Sequence, residues 1–154
     1  MTQIFIPGRA YNLAALGKLE ITLVENPVKC GLPSPALDHV HSPIDLNDIL
    51  VKNKAATFLF IAEGSSMVDA NIPDGALLVI DTSITPRNGH IVLAEVNGEF
   101  TLKKLDTQLM RLMPASPLFD PILLREGMEF RVCGIVTHII INPYLSYVRS
   151  VGIH

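Results

Sequence analysis

The chain has 154 residues, room for one ordinary domain with a short arm and too little for two domains with separate cores. Hydrophobic residues make up 49% and charged residues 18%, a composition that buries a sizeable core and excludes a charge-rich disordered chain. Twelve Lys and Arg against fifteen Asp and Glu leave a net charge of −3, and the basic residues are scattered from Arg9 to Arg149. Without a basic stripe to displace counterions, direct sequence-specific DNA binding is not expected.

Mean hydropathy is high, at +0.38. No apolar run nears the roughly 18 to 20 residues that span a bilayer, so no membrane association is expected. No basic start followed by an apolar stretch and a small-residue cleavage site marks a secretory signal. Cys30 and Cys133 are the two cysteines and neither lies in a C-x-x-C pair, which points to a reduced compartment, with the bacterial cytoplasm as the default.

In chain order, residues 1–26 are weakly patterned and offer at most a short strand over 19–24. The segment 27–43 holds four of the eleven prolines and reads as an extended tether. Asp45 has the character of an N-cap for a short helix over 46–52, with Leu46, Ile49 and Leu50 at helical spacing. Short strands are predicted over 57–62, 76–81, 90–96, 99–105, 108–113 and 130–141. Turn signals separate them, of which Asn97-Gly98 is the strongest, because Asn-Gly between two β-rich runs suits a two-residue type I′ hairpin. The expected fold is mostly β: a compact domain of antiparallel strands, preceded by an extended N-terminal arm and one short helix.

Three elements are candidates for chemistry: Gly64-Ser65-Ser66-Met67 after a strand, the Lys103-Lys104 pair on a strand, and Cys30-Gly31 in the Pro-rich tether. Singly, each has an ordinary reading. A Ser beside Gly is commonly a turn residue, adjacent strand lysines are commonly one solvent-facing and one snorkelling side chain, and a second Cys-Gly pair occurs at Cys133-Gly134.

Taken together, Gly64-Ser65-Ser66-Met67-Val68-Asp69, Ile72-Pro73-Asp74-Gly75 and Asn97-Gly98-Glu99-Phe100-Thr101-Leu102-Lys103-Lys104-Leu105 resemble the self-cleaving Ser-Lys proteases of the LexA and UmuD group. The upstream runs Cys30-Gly31-Leu32-Pro33-Ser34-Pro35-Ala36 and Ile44-Asp45-Leu46-Asn47 narrow the resemblance to its UmuD branch. It covers residues 19–143; the stretches on either side receive no assignment. The resemblance implies Ser66 as nucleophile, Lys103 as general base and the backbone N–H groups of Ser65 and Ser66 as oxyanion hole. Cys30-Gly31 matches the bond the protein cuts in itself. It further implies an arm 1–30 removed by self-cleavage, a tether 31–44, and a protease and dimerisation domain 45–154. The implied role belongs to the bacterial SOS response: RecA filaments on single-stranded DNA promote the cut, and the shortened homodimer joins a UmuC-type subunit of an error-prone translesion polymerase. No cofactor or metal is expected.

The chemistry makes specific demands. A Ser hydroxyl needs a base, and a Lys amine serves only when neutral, so its surroundings must lower a pKa that is ordinarily about 10.4. Arg stays protonated and cannot substitute. Strand alternation places Thr101, Lys103 and Leu105 on one face and Phe100, Leu102 and Lys104 on the other, without saying which face meets Ser66. Pro27, Pro33 and Pro35 disfavour a helix around Cys30, and an extended segment is what a protease cleft binds.

Other residues are expected to be structural. His39 and His41 alternate near Asp38 and Asp45, a sparse metal pattern with no second ligand cluster. His90 and His138 sit in strand-like runs, and Asp69 and Asp74 read as turn residues. Among competing functions, a LexA-like repressor would need a DNA-reading module that residues 1–30, with Arg9, Lys18 and Lys29, do not readily supply. A signal peptidase would need a membrane anchor, and a non-catalytic interaction module of the same fold is separated by point mutants of Ser66 and Lys103.

Overall fold

The computed structural model describes residues 20–24 and 41–144. Cys30-Gly31, most of the arm and most of the tether lie outside them. Strand β1 (Glu20–Val24) pairs antiparallel with β2 (His41–Asp45), from Glu20 opposite Asp45 to Val24 opposite His41. The end of the expected tether is therefore strand, and Pro43 is accommodated because both strands of a two-stranded sheet are edges. Helix α1 (Leu46–Leu50) follows at once, its first turn closed by the Asp45 carboxylate, which accepts from the Asn47 N–H at 2.9 Å. It stops short of the predicted residue 52, because Val51 has turned to extended backbone and is buried.

The remaining strands are β3 (Thr57–Ile61), β4 (Leu77–Asp81), β5 (Ile91–Val96), β6 (Glu99–Asp106), β7 (Arg111–Met113), β8 (Ile122–Leu123) and β9 (Phe130–Ile140). They form one antiparallel sheet in the order β3-β4-β9-β5-β6-β7-β8. The mostly β, antiparallel expectation holds. Asn97 (φ 50°) and Gly98 (φ 83°) both adopt the positive φ of a type I′ turn, closed by Val96 opposite Glu99.

Two strand expectations need correcting. The strand expected over 108–113 begins only at Arg111, because the Asp106 carboxylate accepts from the Gln108 and Leu109 amides, each at 3.1 Å, and folds the intervening residues into a turn. Strand β8 was not anticipated; its two residues are too few to show a period-two pattern.

Strand β9 shapes the sheet. It lies between β4 and β5 and its register shifts twice, leaving Cys133 unpaired against β5 and Thr137 unpaired against β4. Each such bulge adds an unpaired residue, bends the strand and increases its twist. Between them, Gly134 gives β4 room, since a Cβ there would lie 2.5 Å from Ile80 Cγ2. The curled sheet brings β3 and β6 to the walls of a single cleft although three strands separate them. It also carries a core on each face. One gathers Met67, Ile72, Leu78, Ile80, Leu93 and Cys133, and the other gathers Val92, Ala94, Leu105, Leu112 and Ile135. The consecutive burial of Val92, Leu93 and Ala94 follows from this two-sided covering.

Candidate active site

The loop that carries Ser66 leaves β3 and is tied to the turn before β4. The Ala62 N–H donates to the Ala76 carbonyl and the Gly75 N–H to the Ala62 carbonyl, both at 2.8 Å. Gly64 has φ +87°, a conformation that costs other residues about 1–2 kcal/mol, and its N–H donates to the Asp74 carboxylate at 2.9 Å. Beyond Ser66 the chain is pinned by Met67 and Ile72, 3% and 1% exposed, on either side of a 3-10 turn at Val68–Ala70. The loop after β7 completes the hold, for the amides of Ala115 and Ser116 both donate to the Ser66 carbonyl, at 2.8 and 3.1 Å.

Lys103 comes from β6, opposite Val92 of β5. Its Nζ lies 2.8 Å from Ser66 Oγ and 3.1 Å from the carbonyl of Leu102. The residue is only 8% exposed, and among the described residues no carboxylate forms an ion pair with it. Burial without a counter-charge disfavours the ammonium and holds the Lys103 pKa below its ordinary value. Lys104 is exposed and points elsewhere, its Cε facing Gly89. Tertiary structure thus makes the choice between the lysines that strand alternation left open.

Ser66 and Lys103 meet in a cleft of about 320 Å³, walled by Phe60, Ile61 and Ala62 on one side and by Phe100, Thr101 and Leu102 on the other. Ser65 is exposed beside it, and the amides of Ser65 and Ser66 donate to no acceptor among the described residues. Cys133, by contrast, is buried within β9, so the second Cys-Gly pair sits inside an interior strand of the sheet, paired on both sides.

A neutral amine within hydrogen-bond reach of a hydroxyl, beside an open groove, is an arrangement suited to activating an oxygen nucleophile. A family model described as Peptidase S24-like matches residues 22–137. The chain belongs to the Peptidase S24-like family. Among S24-like relatives, the chain is 42% identical over 115 residues to protein ImpA of Salmonella typhimurium, covering 73% of this chain and 77% of the relative. It is 36% identical over 120 residues to protein MucA of Escherichia coli, covering 75% and 80%. It is also 34% identical over 120 residues to LexA repressor 1 of Geobacter sulfurreducens, covering 75% of this chain and 59% of the repressor. The S24 match runs through Cys30-Gly31, Ser66 and Lys103 alike.

Three other sequence candidates, Asp74, His90 and His138, have structural partners. Asp74, expected as a turn residue, also accepts from the Gly64 N–H and so positions it; a reach across ten residues leaves no local signal. The supporting loop 114–116 has no sequence signature, since its contribution is the amides of Ala115 and Ser116, which any residue but Pro supplies. His90 Nδ1 accepts from the Arg87 N–H at 3.2 Å, and His138 Nδ1 lies 3.1 Å from Thr137 Oγ1. Of the sparse metal pattern, Asp38 and His39 fall outside the described residues. No cluster of metal-ligating side chains occurs among those described, and no described helix is long and apolar enough to cross a membrane.

Proposed function

We propose that this protein is a serine endopeptidase acting on itself, with Ser66 as nucleophile, Lys103 as general base and Cys30-Gly31 as the bond cut. The observation that carries the reading is the 2.8 Å approach of Lys103 Nζ to Ser66 Oγ, made by a lysine that is buried and unpaired among the described residues.

Ser66 Oγ attacks the Cys30 carbonyl carbon while its proton passes to the neutral Lys103 amine. The oxyanion that forms accepts from the Ser65 and Ser66 amides, which have no competing acceptor among the described residues. As the intermediate collapses, the Lys103 ammonium returns the proton to the departing Gly31 amine. Water then attacks the Ser66 ester with Lys103 again as base, and the products are residues 1–30 and 31–154. A small residue after the cut, Gly31, lets the substrate backbone approach the catalytic groups closely.

The UmuD-like resemblance extends the reading to biology. The cut protein would act as a homodimer with a UmuC-type subunit of an error-prone translesion polymerase, in the bacterial cytoplasm. A RecA filament needs to supply no catalytic group, since favouring the bound arrangement of the Cys30-Gly31 segment is enough to raise the rate.

The test is incubation of the purified full chain at about pH 10, where the neutral fraction of a lysine is far larger than at pH 7 and burial of Lys103 raises it further, followed by intact mass. Fragments 1–30 and 31–154 from the wild type, absent in Ser66→Ala and Lys103→Ala, are the expected outcome. A chain that stays whole with and without a RecA filament overturns the reading in favour of a non-catalytic interaction module.

A further inference from the structure

The walls of the cleft carry two ionisable side chains, Lys103 and Glu63. Lys103 is buried with its Nζ turned to Ser66 Oγ, whereas Glu63 is exposed and is the lining carboxylate that a bound chain meets. It sits at the rim, exposed, three positions before Ser66, and its carboxylate makes no hydrogen bond or ion pair with any described residue. Most of the other lining residues are apolar, among them Phe60, Met67, Leu93 and Phe100.

The cut segment has the matching pattern. Between Glu25 and Asp38 it carries one charge, Lys29, immediately before Cys30. An extended chain advances about 3.3 Å per residue and turns successive side chains to opposite sides. When Cys30 faces the apolar cleft, Lys29 faces outward towards the rim, where its long flexible stem can bring the ammonium to a carboxylate. We infer that Glu63 determines specificity by selecting a cationic side chain immediately before the residue whose carbonyl is attacked, with Lys29 as its partner. The inference rests on self-cleavage at Cys30-Gly31 and adds a charge rule to it.

The experiment compares self-cleavage rates of full-length wild type, Glu63→Lys, Lys29→Glu and the double reversal. They are measured at about pH 9, where a model lysine is still almost fully charged, in low and in high salt. Asp69→Lys, an exposed residue that does not line the cleft, controls for the change in net charge. Each single reversal is expected to slow cleavage by about five- to tenfold in low salt. The double reversal should recover to within about threefold of wild type, and 1 M salt should shrink all the differences, because the Debye length there is about 3 Å. Recovery is a gain that a folding defect cannot produce. A double variant no faster than the slower single, or equal slowing by Asp69→Lys, overturns the charge rule while the cutting wild type preserves self-cleavage. An uncut wild type overturns both.

Discussion

The backbone N–H of Ala115 donates to the carbonyl oxygen of Ser66 at 2.8 Å, so the main chain of the candidate nucleophile is held by a loop far along the sequence. Ser116 donates to the same oxygen, and its own side chain is buried. A hydroxyl aligned to better than about 1 Å depends on such supports, because misplacement of that size costs on the order of 10²-fold in rate. Ala115→Pro, which deletes the donor, is expected to slow self-cleavage by about ten- to a hundredfold. Quantifying the cut fraction by mass alongside thermal unfolding separates this effect from global destabilisation; a rate equal to wild type would remove the support from the mechanism.

In the proposed mechanism Lys103 must be neutral to accept the Ser66 proton, and burial lowers its pKa. The cleavage rate is therefore expected to rise with pH through that lowered value and to level off below the ordinary 10.5. A rate profile from about pH 6 to 11 reads the midpoint directly. Lys103→Arg should be inactive throughout, because its guanidinium stays protonated.

The same burial has a stability consequence with a definite sign. Between the lowered folded-state pKa and the unfolded value near 10.5, the unfolded chain binds more protons, so stability rises with pH across that window. Below the window the wild type carries the full cost of a buried ammonium, which Lys103→Met removes. Chemical denaturation should find Lys103→Met more stable than wild type at pH 7, with the gap narrowing as pH approaches 10.5. A constant gap would place the lysine in an environment that does not disfavour its charge.

Gly134 allows β9 to lie against β4 at Ile80, and an added Cβ would meet Ile80 Cγ2 at 2.5 Å and the Asp81 carbonyl oxygen at 3.3 Å. Gly134→Ala is expected to cost about 1–3 kcal/mol, typical of forced overpacking. Equilibrium denaturation measures it, and a neutral result would mean that Ile80 moves freely out of the way.

Much of this protein is legible from local pattern. The anticipated strands, the Asp45 cap and the Asn97-Gly98 hairpin rest on short apolar and β-branched runs bounded by turn residues, a short side chain accepting a nearby amide, and positive-φ turn chemistry. All of these act over a few residues. Local rules failed where a side chain overrode pattern, as when Asp106 gathers two amides and delays β7, or where a strand is as short as β8.

The candidate site divides along the same line. The sequence by itself determined which residue types are present and, through the motif resemblance, which to pair: a serine after a glycine turn, two lysines on a strand, and a Cys-Gly bond among prolines. Only the tertiary structure decided the 2.8 Å approach of Lys103 to Ser66, which strand alternation alone left open between the two lysines, and that Asp74 and the 114–116 loop hold the serine in place. The reason is physical. Burial and hydrogen-bond distance belong to the curled sheet as a whole, whose two bulges in β9 bring β3 and β6 to one cleft, and no short window of sequence contains that curvature.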